Sequence, residues 1–309
     1  MLTPQPIARR HAERMLATFL ALAACNPPGD AGRQTDTTLP PPVGAVESLP
    51  QGESPRRWES SAGTVLLVRD DSVTRAIYPT LTRLDSTAVL DEDLVRGFTA
   101  DAVAAEGAAG SLRIRGFAPL EEECAVWPAV TLSADSARGW TVAFQRGVAS
   151  PIVLRPIESL SSADSARLAA QVTRLAATLP NDTSRAFRGL PFVIRAAHRF
   201  IPSSGPEAVV AEVIRRVNVE ANPREETLLV IAERDTPAGE WRVAYSERAS
   251  GDELHVQRAT PLAAVGLGPQ RLPTVVIERT GSDWITYAFL QRSPAGDWRE
   301  TWESAHSGC

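Results

Sequence analysis

Arg234-Asp235-Thr236-Pro237-Ala238-Gly239-Glu240-Trp241-Arg242 recurs, one residue shorter, as Arg292-Ser293-Pro294-Ala295-Gly296-Asp297-Trp298-Arg299. Each stretch has the chemistry of a tight turn between two strands. Pro presets φ, Gly accepts a left-handed position, and an acid opens the returning strand. Apolar runs lie around both turns, at 227–232, 241–245, 254–258, 274–278, 284–290 and 298–302. They follow one another too closely for crossover helices, which excludes a parallel βαβ sheet and predicts antiparallel strands. The repeat predicts two four-stranded units, near 192–246 and 254–303. A propeller blade has this size, but two units do not close a propeller, so the pattern reads as a duplicated β-meander.

Upstream, Phe192, Ile194, Ala196, His198 and Phe200 fall on one strand face at period 2. Residues 208–219 fit a helix by spacing, but their β-branched richness and the Asn222-Pro223 turn favour a strand. One helix is predicted, at about 162–179. Ser161 or Ser162 caps it, Asp164 sits in its first turn, and Pro180 ends it. Leu168, Val172, Leu175 and Leu179 form its apolar stripe, which marks it as a packing helix. Further strands are read at 64–69, 72–78, 111–115, 140–144 and 152–154, with 91–110 as loop or short helix. The fold class is mainly β, antiparallel, with one packing α-helix.

The chain has 309 residues, 43% hydrophobic and 22% charged, enough to bury a core. Its formal net charge is -5, every basic residue is Arg, and no basic stripe or zinc spacing occurs. An acidic chain of this kind is not expected to bind nucleic acid.

The N-terminus carries an address. Arg9, Arg10 and Arg14 precede the apolar run Met15–Ala24, which is too short to span a bilayer but fits a signal-peptide core. Leu22-Ala23-Ala24-Cys25 resembles the lipobox of bacterial lipoproteins. The resemblance covers residues 1–25 and implies cleavage before Cys25, acylation of Cys25, and the lipid bilayer as a partner. Asn26 after the Cys implies delivery to the outer membrane, on the periplasmic or surface side. Residues 25–58 hold Pro at 27, 28, 40, 41, 42, 50 and 55 and read as an extended, disordered tether. The organisation is then a signal at 1–24, the tether at 25–58, a β-rich region at 59–158, and a helix followed by a β domain at 159–309.

Once Cys25 is lipidated, Cys124 and Cys309 remain as an even pair in an oxidising compartment, a candidate disulfide. The alternative is a buried Cys124 and a free terminal thiol.

No nucleophile elbow, HExxH, phosphate loop or CxxC is present, and no catalytic residue, metal site or cofactor is assigned. Asp91-Glu92-Asp93 is a weak Ca²⁺ candidate, and Glu121-Glu122-Glu123 reads as a solvated loop. His198 is the only His on an apolar strand face. The densest polar stretch holds Arg215, Arg216, Glu220, Asn222 and Arg224. It reads either as a charged, exposed hairpin tip or as Arg forks that clamp a carboxylate. Trp241/Tyr245 and Trp298/Trp302, at i and i+4, are expected to share strand faces, as core or as a sugar or partner platform. The expectation is an envelope lipoprotein whose β domain binds or scaffolds another envelope protein. The alternatives are a small-ligand or carbohydrate-binding domain, and a hydrolase without a recognisable motif.

Overall fold

The structure, a computed structural model, describes residues 63, 65–70, 73–78, 93, 95–119, 127–180, 185–218 and 223–308. Cys25, Cys124, Cys309, Glu220, Asn222, Asp91, Glu92 and Glu121 to Glu123 lie outside the described residues, as do the signal and the tether.

Among the described residues, three antiparallel sheets and one α-helix make up the fold. The N-terminal sheet contains β1 (Leu66–Asp70), β2 (Val73–Ile77), β3 (Thr99–Ala104), β4 (Gly107–Phe117), β5 (Val130–Leu132) and β6 (Val142–Gln145), in the order β2-β1-β6-β3-β4-β5. The chain then places β7 (Ala149–Ile152) and β8 (Arg155–Pro156), followed by α1 (Ser162–Thr178). The outer sheet is the meander β9 (Val193–Phe200), β10 (Glu207–Val217), β11 (Arg224–Arg234) and β12 (Arg242–Asp252), with β8 added beside β9. The central sheet is the meander β13 (Arg258–Leu267), β14 (Leu272–Thr280), β15 (Trp284–Arg292) and β16 (Trp298–Glu303). Here β7 is added beside β13, and β17 (Ser307–Gly308) pairs with β15. The two repeated turns join the third strand to the fourth in each meander, so the duplicated unit is real in three dimensions.

The layers stack in the order N-terminal sheet, central sheet, outer sheet, α1. Alternation along each strand shows it. Val276, Tyr287 and Phe289 pack with the N-terminal sheet, while Val275, Ile277, Ala288 and Leu290 pack with Val210, Leu229 and Ile231 of the outer sheet. The outer sheet turns Val209, Val213, Leu228 and Val230 to α1. Helix α1 begins where its cap predicts. The Ser161 Oγ accepts from the Asp164 backbone N–H at 3.2 Å and donates to the Asp164 carboxylate at 2.7 Å, a reciprocal N-terminal cap. It buries Leu168, Val172 and Ala176.

Several strand readings need correction. The run 254–258 is a turn, with Leu254 exposed. The strand starts at Arg258 and continues through Pro261, where a register shift before Ala263 accommodates the missing N–H. Residues 91–110 include β3 and the start of β4 rather than a helix. The shared face of Phe192, Ile194, Ala196, His198 and Phe200 does not exist. The β9–β10 register shifts between Glu212 and Val213, skipping Arg195. Phe192 and Ile194 therefore pack with α1, and Phe200 faces the central sheet. A β-bulge of this kind inverts the face of every residue beyond it.

Two more bulges break the aromatic pairs. β12 shifts register against β11 at Ile231/Ala232, and β16 shifts against β15 at Phe289/Leu290. Trp241 packs with the α1 layer while Tyr245 faces the central sheet. Trp298 faces the outer sheet while Trp302 faces the N-terminal sheet. Neither pair shares a face, so neither forms a two-ring platform. Trp241, Trp298 and Trp302 are all buried.

Candidate functional site

The turn of the Arg-rich stretch, 219–222, lies outside the described residues, but the strand ends that lead to it carry paired charges. Antiparallel pairing sets Arg215 opposite Glu226 and Arg216 opposite Glu225, and cross-strand neighbours of opposite charge attract. Both glutamates are 0% exposed. Arg215 donates its Nε to Glu226, which also accepts from Arg248 at 2.7 Å. Glu225 accepts from Arg216 and from Arg195, and Arg195 reaches Glu212 at 2.7 Å. The Arg215 guanidinium lies over Phe192, 4.7 Å from the ring centroid, and that of Arg224 lies 5.6 Å from Phe187. The forks of Arg215 and Arg216 are thus taken up by the protein's own carboxylates. The sequence hid this because a charge run looks the same whether its partners are water or the next strand.

His198 is half-buried on β9, and its Nδ1 has no hydrogen-bond partner. Burial pushes its pKa below the ordinary value, and the charge of Glu158 only partly opposes this. A neutral buried His binds fewer protons than the same His in the unfolded chain, so stability is lost as pH falls from the ordinary value of about 6.5 towards the depressed folded one. We expect the His198→Gln variant to lose less stability than the wild type between pH 7.5 and pH 5.5. Urea midpoints at the two pH values check this, and equal losses would contradict it.

A second cluster joins the central and outer sheets. Arg279 on β14 is 5% exposed. It donates to Glu247 of β12 at 2.9 and 2.6 Å, to Glu303 at 2.7 Å, and to Glu300. The Tyr245 hydroxyl completes the set by donating to Glu247 at 2.8 Å. Burial alone would lower the pKa of Arg279, but the hydrogen bonds and charge of Glu247, with Glu300 and Glu303, raise it above the ordinary range.

One opening among the described residues lies between α1 and the ends of the outer strands. It is a cleft of about 140 Å³. Helix α1 contributes Asp164, Arg167 and Gln171, while the sheet contributes Arg199, Glu207, Arg234 and Trp241. Glu207 is shared: it accepts from Arg199 and from Arg234, the latter at 2.9 and 3.1 Å. Arg167 pairs with Asp164. Three guanidiniums and two carboxylates therefore line the cleft, an excess of one positive charge. The Asp164 carboxyl is held below its usual range by the Ser161 hydrogen bond first, then by the charge of Arg167. Trp241 is 8% exposed, its Nε1 has no hydrogen-bond partner, and Arg234 lies over its ring at 4.8 Å.

Of the residues singled out from sequence, only Trp241 lines this cleft. Arg199, Glu207, Arg234 and Arg167 were not found that way, although Arg234 opens the repeated turn. Among the described residues no group of three His, Cys, Asp or Glu side chains could hold a metal ion, and no helix is long and apolar enough to cross a membrane. Compared with protein-family models, curated proteins and solved structures, the chain matches none.

Proposed function

We propose that the chain is a lipid-anchored envelope protein whose β domain binds a small anionic ligand in the cleft between α1 and the outer sheet. The observation that carries the reading is the sharing of Glu207 by Arg199 and Arg234, which leaves a cationic excess on the cleft wall. Guanidinium groups stay protonated at any physiological pH and present fixed forks of donors. They suit holding an anion rather than moving a proton.

The anchor part of the proposal rests on the signal-like N-terminus and Cys25. Cys25→Ser is expected to move the chain from the membrane fraction to the soluble fraction, because two or three acyl chains give stable anchoring and none remain without the thiol. Retention of the variant in membranes after a high-salt wash would overturn the anchor. The binding part is tested by thermal unfolding of the purified full chain in detergent with phosphate, sulfate, acetate and succinate. Ligand at 100 times its Kd raises stability by about 2.7 kcal/mol. No shift with any anion would overturn the binding reading.

A further inference from the structure

The repeated turns occupy equivalent places in successive layers. Arg292 and Trp298 border the central sheet on the side facing the outer sheet, as Arg234 and Trp241 border the outer sheet on the side facing α1. In the central layer both donors converge on one carboxylate. Trp298 Nε1 and Arg292 Nε each donate to the same oxygen of Glu233, at 2.7 Å. Glu233 belongs to β11, the next layer out, and is 1% exposed. The outer layer repeats the donors without an acceptor that both share, the Arg234 Nη1 donating to the Pro237 carbonyl at 2.7 Å. Arg234 turns to Glu207, which it shares with Arg199, and the Trp241 Nε1–H meets no acceptor. Where a further sheet would supply a glutamate, α1 and the cleft stand instead.

Resting on the binding reading above, we infer that the cleft takes the carboxylate of a small organic acid, which completes at Trp241 and Arg234 the arrangement that Glu233 completes at Trp298 and Arg292. Four observations converge on it: the same two donor types, an indole N–H left without an acceptor, an excess cation on the wall, and a cleft of small volume. A buried donor without an acceptor is costly, and a charged acceptor is the strongest partner it can gain. The Trp241 ring lines the cleft while its N–H is buried, so cleft-wall side chains must shift before a ligand oxygen reaches it. At about 140 Å³ the cleft is smaller than the 300–1,000 Å³ typical for drug-sized ligands, which suits a small acid.

The test uses the full chain in detergent, titrated by calorimetry with acetate, succinate, phosphate and sulfate. Trp241→Phe keeps an aromatic ring under Arg234 and removes the donor together with part of the indole's volume, so its melting temperature is compared with the wild type's before binding is read. The expected result is saturable one-to-one binding of a carboxylate by the wild type, weakened about tenfold in Trp241→Phe and also in Arg167→Gln. Equal affinity in the wild type and Trp241→Phe would overturn the inference. Binding of phosphate or sulfate but of neither carboxylate would overturn it while leaving the anion-binding reading in place. Binding of no anion would overturn both. Should Trp241→Phe fail to fold, Arg167→Gln carries the test alone, because its side chain is exposed and paired only with Asp164 three residues away.

Discussion

Replacing Arg279 with Met is expected to lower the unfolding free energy by about 3–5 kcal/mol, a fall in Tm on the order of 10 °C for a domain of this size. Arg279 neutralises Glu247 of the outer sheet together with Glu300 and Glu303 of the central sheet. Its removal brings three carboxylates together with no cation between them. Like charges in a partly buried place raise one another's pKa. The variant should therefore bind more protons folded than unfolded at mildly acid pH, and its deficit should shrink as pH falls from 7 towards 5. Urea unfolding at the two pH values measures both effects. A loss below 1 kcal/mol, or a deficit that grows with acidity, would show that the cluster does not hold the two sheets together. The intact cluster need not add net stability over a well-packed apolar one, because each ion has given up its water.

Trp302→Ala is the second large expected effect, again about 3–5 kcal/mol. Trp302 is 1% exposed, and its ring centroid lies 4.9 Å from that of Phe289, which lies 5.9 Å from Phe144 of the N-terminal sheet. Truncation opens a cavity at the junction of two sheets, where backbone on both sides is fixed by strand pairing and collapse is limited. Trp302→Phe keeps the aromatic contact with Phe289 and should cost clearly less. Similar losses for the two variants would mean that the aromatic contact Phe retains contributes nothing to the junction. Denaturant midpoints at unchanged m-value check this.

The helix, the antiparallel class and the duplicated meander were legible in the sequence because each depends on local chemistry. Ser161 caps, Pro180 stops, and Pro-Ala-Gly turns the chain twice. The facing of side chains was not legible, because it depends on three bulges at Arg195, Ala244 and Thr301, where the paired registers skip a residue. None of these residues is a Gly or Pro that would mark the place. The strand from Arg258 to Leu267 was hidden for another reason. Pro261 and Gly266 read as breakers, and the central sheet, covered on both faces, shows no alternation in β14 or β15. Most of the cleft was hidden because its guanidiniums come from α1, β9 and β11. Those elements are far apart in sequence, and no single stretch carries the pattern.

The short segment from β7 to β8 bears on how the protein must be made. Ala149 to Ile152 closes the central sheet against β13, while Arg155 and Pro156 close the outer sheet against β9, with Leu154 buried in the core they share. A chain that emerges N-terminus first presents β7 long before Ala264, the partner of Ile152, exists. Through that interval β7 lacks its partner strand, and Pro151 limits what else can pair with it. The late, long-range closure also makes folding slow for a domain of its length. A fragment starting at α1 would lack an edge strand from each meander and should aggregate rather than fold.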